Sequence, residues 1–77
     1  MRLKVDMESD ALYVRLSEEP IEESEEVSGS IIIDYSKDGK VVGIELLGIK
    51  DRFSLEELST LKVELPTIAY KNAPVPF

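Results

Sequence analysis

The sequence predicts an α+β fold: an antiparallel β-meander of four to five strands, with one C-terminal helix packed on one face and an extended C-terminal tail. Three observations predict it. Apolar and polar residues alternate near the N-terminus, a hairpin signal surrounds Asp38-Gly39, and a helix start follows at Ser54. In a chain of 77 residues we expect one domain of sheet and helix over residues 1–65, followed by an apolar, proline-rich tail over residues 66–77.

The first two strands are indicated by alternation. Every second residue is apolar in residues 3–7 and again in residues 12–16, which is the period of a half-buried strand. The acidic and serine residues around Glu8 favour a turn, so these strands are predicted to pair as a hairpin. Pro20 ends the second strand because it has no amide hydrogen for the ladder. Residues 21–27 are then interpreted as a short edge strand, although their glutamates would also suit a helix.

Residues 30–47 carry the strongest local signal. Asp38-Gly39 is typical of a two-residue type I′ turn, and β-branched residues flank it on both sides. Such a turn places Asp34 opposite Gly43 on a polar face of the hairpin, with Glu45 as a diagonal neighbour. The cross-strand pairs predicted for the apolar face are Tyr35 with Val42, Ile33 with Ile44, and Ile31 with Leu46.

A helix start follows the hairpin. Ser54 can cap the helix, and Glu57 stands three residues later, as a capping box requires. Phe53 can pack on Leu58 as a hydrophobic staple, and leucines spaced three apart form an apolar stripe that would cover the sheet. We expect a helix of about nine residues that ends before Pro66.

Three segments of the chain carry a family resemblance. They are Asp-Ala-Leu-Tyr-Val-Arg-Leu at residues 10–16, Glu-Glu-Val at residues 25–27, and Ile-Asp-Tyr with Asp-Gly-Lys-Val-Val-Gly-Ile-Glu-Leu within residues 33–46. In order and spacing they resemble the small prokaryotic family named domain of unknown function 2283. The resemblance covers roughly residues 3–47 and implies the same sheet. It implies no activity, because that family has no established biochemical role.

The acidic charge is concentrated in one segment. The net charge is −7 with a pI near 4.5, and six glutamates without a basic residue fall within residues 17–26. Such a segment repels nucleic acid and anionic membranes and attracts a basic protein. The alternative is a solvated edge strand that its charges protect from pairing. The candidate partner-binding residues are Glu22, Glu23, Glu25 and Glu26.

Few residues in the sequence suit catalysis. The chain has no Cys and no His, which excludes the common nucleophile and base pairs and the usual zinc sites. Asp34 and Glu45 form the best acidic pair, because two carboxylates on one face could share a hard cation or act as general acid and base. Gly43 beside them would leave space for a ligand. The alternative is that both acids are solvent-facing strand residues. No cofactor is predicted.

We therefore expect a small, acidic, non-enzymatic module in the cytoplasm, since the chain has no long apolar run and no signal-peptide pattern. Its apolar sheet face exceeds what one short helix can cover, which predicts a homodimer to which the tail contributes. A basic protein partner, masked as an antitoxin masks its toxin, fits the acidic segment; nucleic acid and membrane partners do not. The alternative function is a metal-dependent or acid/base enzyme that uses Asp34 and Glu45.

Overall fold

The computed structural model describes residues 1–66 of the chain. It contains a five-stranded antiparallel sheet followed by two short helical turns, which confirms the α+β meander. Apart from Pro66, the predicted tail lies outside the described residues. The elements are β1 (Arg2–Asp6), β2 (Ala11–Arg15), β3 (Glu23–Ser28), β4 (Ile31–Tyr35), β5 (Val41–Leu47), a 3-10 turn (Ile49–Asp51) and α1 (Leu55–Leu58).

The strands lie in the order β1-β2-β5-β4-β3. The hairpin β1–β2 and the run β3–β4–β5 are therefore joined through the pairing of β2 with β5, and β1 and β3 form the two edges. Residues 16–22 carry the chain from β2 to the far edge. The amides of Leu16 and Ser17 donate to the carbonyl of Val42, at 2.8 and 3.3 Å. The Arg15 guanidinium donates to the carbonyls of Ser17 and Glu19, at 2.6 and 2.7 Å, and holds the start of this connection.

The register of the β4–β5 hairpin is confirmed at its centre. Ile33 pairs with Ile44, and Asp34 lies opposite Gly43. The predicted pair of Tyr35 with Val42 is wrong, because Tyr35 pairs with Val41 after a register shift. Val42 is the extra residue on β5, and its side chain is fully buried.

The turn of this hairpin explains the shift. Ser36 and Lys40 close a three-residue loop, with the Ser36 amide donating to the Lys40 carbonyl at 2.8 Å and the Gly39 amide donating to the Ser36 carbonyl at 2.9 Å. Gly39 has a φ of 82°, whereas Asp38 is not among the residues with positive φ. A type I′ turn needs positive φ at both residues, so the predicted two-residue turn is wrong and the longer loop adds one residue to β5.

The helix begins as predicted and ends early. The Ser54 hydroxyl accepts from the Glu57 amide at 3.1 Å, and the Glu57 carboxylate accepts from the Ser54 amide at 2.9 Å, which completes the capping box. The helix has four residues instead of about nine, and none of them is buried. The hydroxyls of Ser59 and Thr60 both donate to the Glu56 carbonyl, and such side-chain bonds compete with further helical turns.

The two faces of the sheet differ in chemistry. Side chains paired across strands share a face, so the register defines an apolar face and a polar face. The molecule measures only 18 Å along its shortest axis, and none of the residues of the apolar face is buried. The buried apolar residues of the described chain are Ala11, Val42 and Ile49. The apolar face consists of Leu3, Val5, Leu12, Val14, Ile31, Ile33, Tyr35, Ile44 and Leu46.

Candidate functional site

A buried carboxylate lies at the centre of the polar face. Asp34, on β4, is only 8% exposed, and both of its oxygens accept short hydrogen bonds. The Tyr13 hydroxyl, from β2, donates to Oδ2 at 2.6 Å, and the Ser24 hydroxyl, from β3, donates to Oδ1 at 2.6 Å. Charge-assisted bonds of this length are among the stronger ones in proteins. The cluster therefore links strands on both sides of β4.

Gly43 makes room for the cluster. It lies opposite Asp34 on β5, between β4 and β2, and a β-carbon built there would collide with the phenol of Tyr13. The space that the sequence suggested for a ligand is therefore filled by a side chain of the same chain. β2 reaches this position because it pairs with β5, a long-range contact that a hairpin pattern does not reveal.

The groups of this cluster are satisfied within the protein. Burial, and then the hydrogen bond to Asp34, raises the pKa of Tyr13 above its ordinary value. Arg15 Nη1 lies 3.5 Å from the Tyr13 oxygen, and this contact acts to lower the pKa of Tyr13. No buried side-chain nitrogen or oxygen of residues 1–66 lacks a partner. The arrangement suits a role in holding the sheet together.

Glu45 shares the polar face with Asp34, as predicted, but occupies different surroundings. It lies opposite Tyr13 and Ile32, and it lines a shallow pocket of about 200 Å³ together with Lys4 and residues of the β1–β2 hairpin. Asp34 does not line this pocket. Within the described chain, no group of three or more His, Cys, Asp or Glu side chains is placed to hold a metal ion.

The predicted edge strand is confirmed as β3, with every residue exposed. Its register places Glu23 and Glu25 on the apolar-face side, beside Tyr35 and Ile33, whereas Glu26 is on the polar side. The Tyr35 hydroxyl donates to Glu25 at 3.2 Å; burial, followed by this bond, raises the pKa of Tyr35. Glu22 precedes the strand, and its amide donates to the Tyr35 carbonyl at 2.8 Å.

An apolar groove lies beside β1 and β2, at the half of the apolar face away from β3. Leu61 and Val63, from the segment after α1, line it together with Leu3 and Val14, and its volume is about 430 Å³. The sequence interpretation assigned Leu61 to the helix and missed this groove. Residues 61–65 alternate apolar and charged side chains, which is the period of an extended segment and the signal that could have indicated it.

Comparison with family models gives a match over most of the described chain. A family model described as Protein of unknown function (DUF2283) matches residues 2–50, which include all five strands. No curated protein and no solved structure matches the chain. Among the described residues, no helix is long and apolar enough to cross a membrane.

Proposed function

The chain belongs to the family described as Protein of unknown function (DUF2283), and from its structure we propose that it is a non-enzymatic, cytoplasmic module that self-associates and binds a basic protein. Self-association uses the apolar face of the sheet. Binding of the basic protein uses the acidic edge around β3. The comparisons supply no activity, so support for this function comes from the surfaces of the molecule.

The observation that carries the proposal is an apolar sheet face that has no second layer of helix or strand among residues 1–66. A sheet with one apolar face must bury that face against a second layer, and α1 buries none of its residues. Leu3 remains 42% exposed, and the other members of the face are half-buried. A contiguous apolar surface of this kind marks a protein interaction site. A second copy supplies the missing layer.

The acidic edge supports a basic partner. Glu22, Glu23, Glu25 and Glu26 are all exposed and lie within one strand and the residue before it. Their combined field would speed the encounter with a basic protein, and the edge strand or the apolar tail would hold the complex. Masking of a basic protein, as by an antitoxin, is one function of this kind. A charge-protected edge without a partner remains the competing explanation.

The competing enzyme hypothesis has less support. The Asp34 carboxylate is committed to Tyr13 and Ser24, and Glu45 lines a pocket of which Asp34 is not part. General acid and base catalysis needs both groups to reach one substrate.

Sedimentation at micromolar concentration tests self-association. The wild type should sediment at twice the chain mass of 8.6 kDa. Ile33→Lys should be monomeric, because it places a charge on the apolar face, whereas Ile32→Lys, on the other face of the same strand, should remain dimeric. A monomeric wild type would contradict the proposal. Truncation after Leu65 tests the tail: an unchanged mass and melting temperature would show that it makes no contribution.

Affinity capture from the native host tests the acidic edge. The wild type should retain a basic protein in a manner that weakens with added salt. Replacement of Glu22, Glu23, Glu25 and Glu26 by Gln should abolish this capture, whereas the control Glu8→Gln and Glu56→Gln, at exposed sites outside the edge, should not. Equal recovery of the basic protein by both variants would show that the acidic segment is a solvated edge without a role in binding.

A further inference from the structure

We infer that two copies stack their apolar faces about a two-fold axis parallel to the strands, with β1 and β2 of one copy lying over β3 and β4 of the other. This inference rests on the proposed self-association and adds its symmetry. Two five-stranded sheets stacked in this way form a sandwich, with about 10 Å between sheets and strand directions within about 30° of each other.

One row of side chains distinguishes the possible axes. The register aligns five residues across the apolar side of the sheet, with Ile44 in the middle and Leu3 and Glu25 at the two edges. An axis parallel to the strands reverses this row in the second copy, so that Leu3 lies over the partner's Glu25. An axis perpendicular to the strands keeps the order, so that Leu3 lies over Leu3 and Glu25 over Glu25. The complete row is Leu3, Val14, Ile44, Ile33 and Glu25.

Charge favours the parallel axis. Glu23 and Glu25 both lie on the apolar-face side of β3, so the perpendicular axis would bring four carboxylates of the two copies together. The parallel axis separates the two acidic edges by four strand spacings, roughly 19 Å, which exceeds the screening length of about 8 Å at physiological salt.

Shape favours the same axis. Leu61 and Val63 line a groove with Leu3 and Val14, which places the segment after α1 at the half of the face formed by β1 and β2. The face is therefore raised at one half. The perpendicular axis would set the two raised halves against each other, whereas the parallel axis sets each raised half on the half formed by β3 and β4. The repulsion between acidic edges and the position of the segment after α1 thus favour the same axis.

Cysteine cross-linking tests this symmetry, because the chain has no cysteine of its own. Leu3→Cys chains and tagged Glu25→Cys chains are prepared. Each variant alone, and an equimolar mixture of the two that has been refolded together, is treated with a bis-maleimide linker. The linker spans about 10 Å, the distance between stacked sheets. Cross-linked species should form only in the mixture, as heterodimers of tagged and untagged chains. Ile44→Cys should cross-link to itself under either axis, and Lys37→Cys, in the exposed hairpin loop, should not.

The possible failures are distinguishable. Self-linking of Leu3→Cys or Glu25→Cys would overturn the symmetry and leave self-association intact. A dimer mass by sedimentation without cross-linking in the mixture would place the interface elsewhere and also overturn the inference. A monomer mass would overturn both the inference and the proposed self-association. Circular dichroism of every variant establishes that it is folded before cross-linking is compared.

Discussion

The phenol of Tyr13 lies over Gly43, in the space that a β-carbon at position 43 would occupy. The two residues belong to strands far apart in the chain that pair within the sheet, β2 and β5. From this position the Tyr13 hydroxyl reaches Asp34 on the next strand, at 2.6 Å. The glycine therefore permits the hydrogen bond that joins β2 to β4 across β5.

Gly43→Ala should destabilise the fold by about 1–3 kcal/mol, because the added carbon forces Tyr13 away from its place. Gly29→Ala, where nothing lies within 4 Å of the added carbon, is the control and should change the free energy of unfolding by less than about 0.5 kcal/mol. In a Tyr13→Ala background the effect of Gly43→Ala should largely disappear. Urea denaturation measures all three; equal midpoints for Gly43→Ala and wild type would contradict the contact.

Alkaline pH should weaken the fold through Tyr13. Its pKa is raised in the folded state by burial and by Asp34, so the folded protein holds the phenol proton more tightly than the unfolded chain. The corresponding stability is complete below pH about 10, the unfolded pKa, and is lost as pH rises through the folded value. Tyr13→Phe should show a smaller loss on alkalinisation. Tyr35→Phe should also show a smaller loss, because the pKa of Tyr35 is raised as well, and the double variant Tyr13→Phe, Tyr35→Phe should show the smallest loss in the same denaturation series.

Tyr13→Phe should also lower stability near neutral pH, by about 1.5–3 kcal/mol, because it removes one donor from the buried Asp34 carboxylate. Asp34 would keep only its bond from Ser24. An unchanged denaturation midpoint at neutral pH would show that solvent replaces the lost donor.

Gly39→Val should cost at least about 1 kcal/mol, because Gly39 has a φ of 82° and a β-branched residue is strained there. Gly29→Val is a matched control, since both glycines have open space around them and only Gly39 has a positive φ. A loss of stability no larger than that of the control would mean that the loop adopts another conformation.

Ser54→Ala should remove the capping box at a cost of about 0.5–2 kcal/mol to the helical segment. Because α1 buries none of its residues, this loss should appear as faster hydrogen exchange of the Glu57 amide, with little change in the unfolding of the sheet. Leu55→Ala, in the same helix and at a side chain that is 71% exposed, is the control. A lower melting temperature of the whole protein would show that α1 is coupled to the sheet.

Local patterns predicted the parts of the fold that depend on neighbouring residues. Alternation indicated the hairpin of β1 and β2, the glutamate run indicated an exposed edge, and Ser54 with Glu57 indicated the capping box. The central register of β4 and β5 followed from its apolar residues, since a slip at Ile33 would turn Asp34 toward the apolar face.

Long-range contacts and competition between local conformations explain what the sequence did not reveal. Pairing of β2 with β5 brings Tyr13 to Asp34, and no local pattern encodes that pairing. The bulge at Val42 follows from a loop in which Gly39 alone takes positive φ, although Asp38-Gly39 suits a tighter turn. The early end of α1 reflects the hydroxyls of Ser59 and Thr60, which compete locally for a helical carbonyl.

The two-sided bonding of Asp34 has a consequence for the free edge of the sheet. Edge strands ordinarily fray and exchange their amide hydrogens without global unfolding. Detachment of β3 would remove the Ser24 hydroxyl from a carboxylate that is almost inaccessible to solvent, and so leave a charge with half of its partners. Amides of β3 should accordingly exchange together with those of β4. This edge strand would then also resist being swapped into another molecule, although all of its residues are exposed.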